Sequence, residues 1–115
     1  MIDILQIFKF IAAIGTAATG VYALIKPQAI KGFTGIAADN PRGVTEVRSI
    51  FGALFIGLGI APFLLPVPEV FQMLGIGYLA IAAVRAVSMF LDKSVEQSNW
   101  ISLAVEVVFG VILVV

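Results

Sequence analysis

Neither cysteine nor histidine occurs among the 115 residues. The first absence excludes disulfides, thiol chemistry and the usual soft-metal sites. The second excludes haem ligation by histidine, zinc sites of the His/Cys kind and imidazole acid–base catalysis. No cofactor is expected. Charge is scarce as well: 12% of residues are Asp, Glu, Lys or Arg, about half the share of an ordinary soluble domain. Seven basic and seven acidic side chains cancel, so no basic field exists to attract nucleic acid, and none is expected as a partner. What fills the chain is apolar: 61% of residues are hydrophobic, well above the soluble range.

That apolar content is gathered into four runs, 4–25, 44–65, 70–91 and 99–115. At 1.5 Å per residue each is close to the roughly 20 residues that cross a hydrocarbon core. The runs must be helices, because an isolated strand leaves its backbone groups unpaired in lipid, and no alternating pattern suggests a barrel. The expected fold is therefore an all-α integral membrane protein: one domain, 1–115, with four transmembrane helices in an up-down-up-down bundle. Pro27 ends the first helix behind Lys26. The longest connection, 27–41, carries Ile30, Phe33 and Ile36 between glycines and reads as a short interfacial turn. Pro66 and Pro68 mark a tight hairpin, and Pro62 a kink near the end of the second helix. The first run follows Asp3 without a basic leader region and is too long for a cleaved signal peptide, so it is expected to be retained. Lys26, Lys31, Arg42 and Lys93 fall on the side of the first and third loops, against Lys9 on the other. The positive-inside rule then puts those loops in the cytoplasm and both termini on the non-cytoplasmic side.

Four charged residues interrupt the apolar runs: Glu46, Arg48, Arg85 and Glu106. Charge within a bilayer is expensive, about 2.5–3.5 kcal/mol per residue at a helix centre on insertion scales, so such groups are expected to meet one another or a cavity. Arg85 and Glu106 both fall about 10 Å below the same membrane face, with Arg48 slightly shallower. At about 100° per residue, Gly75, Tyr78, Ala82, Arg85, Ser88 and Asp92 form one small or polar stripe, and Asn99, Ser102, Glu106 and Gly110 another. On the first helix Lys9, Ala12, Thr16, Thr19, Ala23 and Lys26 align, and Arg48 shares a face with Gly52 and Gly59. Small-residue faces are where helices pack in lipid. The expected pair is Arg85 with Glu106, with Arg48 as a further cation and Tyr78 as a hydrogen-bonding partner. Glu46 lies about 160° from Arg48 and faces either another helix or its own helix N-terminus. Trp100 and Tyr22 sit at span ends as interfacial anchors, and Lys9 is expected to snorkel to the near surface.

The run Glu46-Val-Arg48-Ser-Ile-Phe51-Gly52 behind Asn40-Pro41, continued by Arg85 and Glu106, resembles a family of small bacterial four-helix membrane proteins known only as a domain of unknown function. This chain departs from the pattern at Ala53, where a second glycine is common. The resemblance implies the architecture, the polar cluster and a bacterial inner-membrane location, without an activity. Small multidrug transporters share the length and helix count, but their essential carboxylate lies within the first helix, where this chain has only Asp3 at the very end.

Four readings follow. The charges form a structural network that fixes helix register in a structural or accessory subunit. They hold a lipid or small amphiphile between the helices. Glu106 titrates in a proton- or cation-coupled transporter, although no pair of Gly/Pro-broken helices marks a transport site. Enzymatic activity is the least supported, for want of any catalytic motif. The expected partners are the lipid bilayer and a homo-oligomer or larger membrane complex, since small-residue faces exceed what four short helices need.

Overall fold

The structure, a computed structural model, describes residues 3–115. Four helices are long and apolar enough to cross a membrane: α1 (Ile4–Ile25), α3 (Pro41–Leu64), α4 (Pro68–Leu91) and α5 (Gln97–Val114). A single turn, α2 (Lys31–Thr34), lies between the first two, and no strand occurs among the described residues. The all-α, membrane-spanning class is thus as the apolar runs indicate.

The caps explain where the helices begin. Asp3 Oδ1 accepts the Gln6 N–H at 2.8 Å, and Asn40 Oδ1 accepts the Gly43 N–H at 2.7 Å. Each satisfies an N–H that the first turn leaves without an intrahelical partner. Pro41 and Pro68 occupy first-turn positions, where a missing N–H costs nothing, and Glu69 complements the dipole of α4. The apolar pattern alone starts these spans at 44 and 70; the Asn40 cap carries α3 three residues further out, and Pro68, at a first-turn position, starts α4 two residues earlier. Inside α3, Val47–Leu54 is π-helical, a widened i→i+5 segment that the periodicity does not reveal. Helix α3 continues past Pro62, which is fully buried, as far as Leu64.

The described residues divide into two compact units, Phe10–Leu65 and a second formed by 3–9 with Pro66–Val115. In the first, α1 and α3 touch backbone to backbone. A Cβ on Gly59 would lie 2.5 Å from Ala17 N and 2.6 Å from Ala13 O; one on Gly20 would lie 2.5 Å from Gly52 O. The buried stripe of α1 is Ala12, Ala13, Thr16, Gly20 and Ala23. Thr19, placed on this face by spacing, is exposed, and Gly20 takes its place because the contact follows the residue that permits closest approach. Thr16 and Thr19 donate their hydroxyls to the carbonyls of Ala12 and Gly15 at 2.8 and 2.9 Å, which makes both tolerable in an apolar span. At the loop end Ala23, Ile30, Ala38 and Val47 form a small core against Val44 and Phe51. Gly35, at φ +76°, ends α2 in a left-handed conformation.

In the second unit α4 and α5 form a hairpin closed by glycine. A Cβ on Gly75 would meet Val114 Cγ1 at 2.7 Å and Gly110 O at 2.9 Å, and one on Gly110 would meet Leu79 at 2.6 Å. Tyr78 packs edge-on against Phe109 at 5.6 Å and Phe90 against Trp100 at 6.4 Å. Lys9 holds its ammonium 6.0 Å from the centroid of the buried Phe71 ring. The hairpin turn begins with a Schellman cap: the Ser94 N–H donates to Met89 O at 2.9 Å while Lys93 sits at φ +54°. A residue with a Cβ is strained there by about 1–2 kcal/mol, against the extra unfolded-chain entropy of glycine. Lys93→Gly is expected to stabilise the protein by about 0.5–1 kcal/mol. Thermal unfolding in detergent checks this, and an unchanged or lowered midpoint would count against the cap.

Candidate functional site

The hairpin turn and the stripes of α4 and α5 converge on Arg85. Its Nε–H donates to both carboxylate oxygens of Glu106, at 2.8 and 3.0 Å, and Nη2 donates to Glu106 Oε2 at 2.8 Å. Two N–H vectors of a rigid fork thus meet two oxygens of a planar carboxylate, the geometry in which an ion pair also fixes orientation. Nη1 donates to Asn99 Oδ1 at 2.9 Å, and the Asn99 amide donates onward to the Ser94 carbonyl at 2.7 Å. The glutamate side chain is 10% exposed and that of the arginine 30%. The carboxylate is therefore the drier partner, and each of its oxygens is committed to the guanidinium. No buried side-chain nitrogen or oxygen among the described residues lacks a hydrogen-bond partner.

This clasp joins positions 21 residues apart in sequence and ties a span to the turn that follows it. Arg85 lies six residues before the end of α4, which at 1.5 Å per residue puts its Cα about 9 Å from that end. The stripe holding Asn99, Ser102 and Glu106 was readable as one face of α5. That Asn99 serves as a second acceptor for Arg85 was not, because an asparagine near a helix start looks like an ordinary polar terminus.

The other singled-out charges find different partners. Glu46 pairs with Arg42 one helical turn earlier, and both side chains are more than half exposed. It is a surface i,i+4 pair rather than part of a dry network, because the polar cap extends α3 outward and brings Arg42 onto its helix. Arg48 donates its Nε–H to the Leu24 carbonyl at 3.1 Å. That carbonyl belongs to the last turn of α1, which lacks intrahelical donors, and a cation there complements the helix dipole. Arg48 thus caps α1 from the π-helical segment of α3, on the face where Gly52 comes within 3.2 Å (as a built Cβ) of Leu24. Tyr78 stands beside Phe109 in the second unit. Each unit accordingly has one arginine that ties its two spans together, by a carbonyl in the first and a carboxylate in the second.

A groove of about 520 Å³ runs along α4 beside the clasp, walled by Ile81, Val84 and Met89 and ending at Arg85, Ser94 and Asn99. No group of three or more potential acidic metal ligands occurs among the described residues. A family model for a domain of unknown function matches residues 4–115. No curated protein and no solved structure matches.

Proposed function

We infer that this chain, which belongs to the DUF4345 family, defined by a domain of unknown function, is a structural or accessory membrane subunit whose intramembrane charges hold its spans in register. The supporting observation is the commitment of both Glu106 oxygens to Arg85, with Asn99 as a further acceptor. A carboxylate bound this way is neutralised on the spot by the guanidinium, which favours a register lock over a titrating transport site. The protein resides in the bacterial inner membrane with both termini on the non-cytoplasmic side, as the placement of Lys26, Lys31, Arg42 and Lys93 suggests. It works as part of a homo-oligomer or a larger membrane complex, since Gly77 lies mid-span with open space around it. The test is purification of the tagged chain in mild detergent, together with uptake assays in proteoliposomes. A stoichiometric assembly, and no pH-gradient-driven uptake by either wild type or Glu106→Gln, is expected. Uptake by the wild type that Glu106→Gln abolishes would overturn the reading.

A second reading, binding of a neutral amphiphile, is favoured by the groove at Arg85. Its walls are apolar, and two of the five guanidinium N–H groups remain after the bonds to Glu106 and Asn99. Because the ion pair is already neutral, an uncharged acceptor such as a carbonyl suits this place better than an anion. Native mass spectrometry of the purified chain distinguishes the two readings by whether such a molecule stays bound.

A further inference from the structure

The chain has three arginines, and two of them have a carboxylate partner: Arg42 with Glu46 and Arg85 with Glu106. Among the described residues, no carboxylate stands within ion-pair distance of Arg48, whose Nε–H goes to a carbonyl. Four N–H groups on Nη1 and Nη2 are left over. They belong to an exposed side chain beside an open surface cavity of about 460 Å³ in the first unit, with Gln28, Asn40, Thr45 and Asp39 around it. Asp39 makes no hydrogen bond or ion pair among the described residues. One cavity therefore presents a positive and a negative side chain that do not satisfy each other.

Level matters as much as charge. Arg48 reaches the carbonyl of Leu24, one residue before the end of α1 at Ile25, so the cavity lies where the span gives way to the polar zone of the bilayer. An occupant drawn from that zone must carry an anion for the guanidinium fork and a cation for the carboxylate. Phosphate meets the first requirement, since its oxygens match paired guanidinium N–H donors. A primary ammonium meets the second because it can donate hydrogen bonds to Asp39; a quaternary ammonium has no N–H, and a glycerol headgroup has no cation. We propose that this cavity binds the zwitterionic phosphoethanolamine headgroup of a bilayer phospholipid, with Arg48 holding the phosphate and Asp39 the ammonium. This site is separate from the Arg85 clasp and does not depend on the accessory-subunit reading.

The experiment reconstitutes the full chain in nanodiscs containing equal amounts of ethanolamine, choline and glycerol phospholipids with identical acyl chains. Native mass spectrometry then counts the lipids that remain bound. Wild type is expected to enrich the ethanolamine lipid roughly three- to fivefold, the discrimination of one exposed charge-assisted contact. Asp39→Asn is expected to keep bound lipid but lose the ethanolamine preference, while Arg48→Gln releases all three. Arg48→Gln also removes the cap on Leu24, so Asp39→Asn, an exposed loop position without a bond in the fold, is the deciding variant. Equal retention of the three lipids, enrichment of the glycerol lipid, or an ethanolamine preference that survives Asp39→Asn would each overturn the proposal.

Discussion

Gly59→Ala is expected to separate α1 from α3, whereas Gly57→Ala, two residues away, is expected to be tolerated. The added methyl at 59 would sit 2.5 Å from Ala17 N and 2.6 Å from Ala13 O, and both are backbone atoms that no rotamer change can move. The helices must part or bend, and such overpacking costs about 1–3 kcal/mol or more. The same contact face contains Gly20 and Gly52, so displacement at 59 is felt along the whole seam. At 57 a Cβ meets nothing within 4 Å, and replacing glycine inside a helix by alanine gains up to about 1 kcal/mol in propensity. The two variants thus differ in sign. Thermal unfolding of the purified proteins reads the difference; a Gly59→Ala midpoint equal to that of Gly57→Ala would mean that α1 and α3 do not approach as described.

Removing either half of the Arg85–Glu106 pair is the second large effect. Arg85→Met leaves a nearly dry carboxylate without its cation, and Glu106→Leu leaves a guanidinium without its anion. Breaking a buried pair from one side typically costs about 3–5 kcal/mol, because the remaining charge keeps its desolvation penalty and loses its compensation. For a domain whose whole stability is of order 5–15 kcal/mol, either variant is expected to unfold at a much lower temperature or to be poorly recovered from membranes. Arg42→Gln, in contrast, removes only an exposed i,i+4 partner of Glu46 and is expected to shift stability by less than about 0.5 kcal/mol. An Arg85→Met protein as stable as the wild type would show that the clasp carries no energy.

The spans were legible because hydrocarbon thickness imposes a length, and the meeting faces because a helix repeats every 100°. Arg85 and Glu106 were readable as partners from matched depth and matched stripe, and the structure brings them together. Arg48 was readable as lying on the Gly52 face, but not its partner, since an orphan carbonyl at the end of α1 leaves no mark on the side-chain pattern. The i,i+4 spacing of Arg42 and Glu46 was visible in the sequence. Its meaning depended on whether α3 starts at Pro41 or later, and that is decided by the Asn40 cap rather than by hydropathy. The π-helical segment at Val47–Leu54 left no signal, because a one-residue change in hydrogen-bond register falls within the angular scatter of any periodicity. It also shifts the angle between Glu46 and Arg48, so a count at 100° per residue describes that stretch poorly.

The most direct measurement is a double-mutant cycle on the clasp, comparing Arg85→Met, Glu106→Leu and the double variant by unfolding in the same lipid or detergent. If the two side chains neutralise each other between α4 and α5, each single change is costly and the double variant recovers much of the loss, with a coupling of about 1–3 kcal/mol or more. Losses that simply add, leaving the double variant as unstable as the sum of the singles, would contradict an ion pair between these spans.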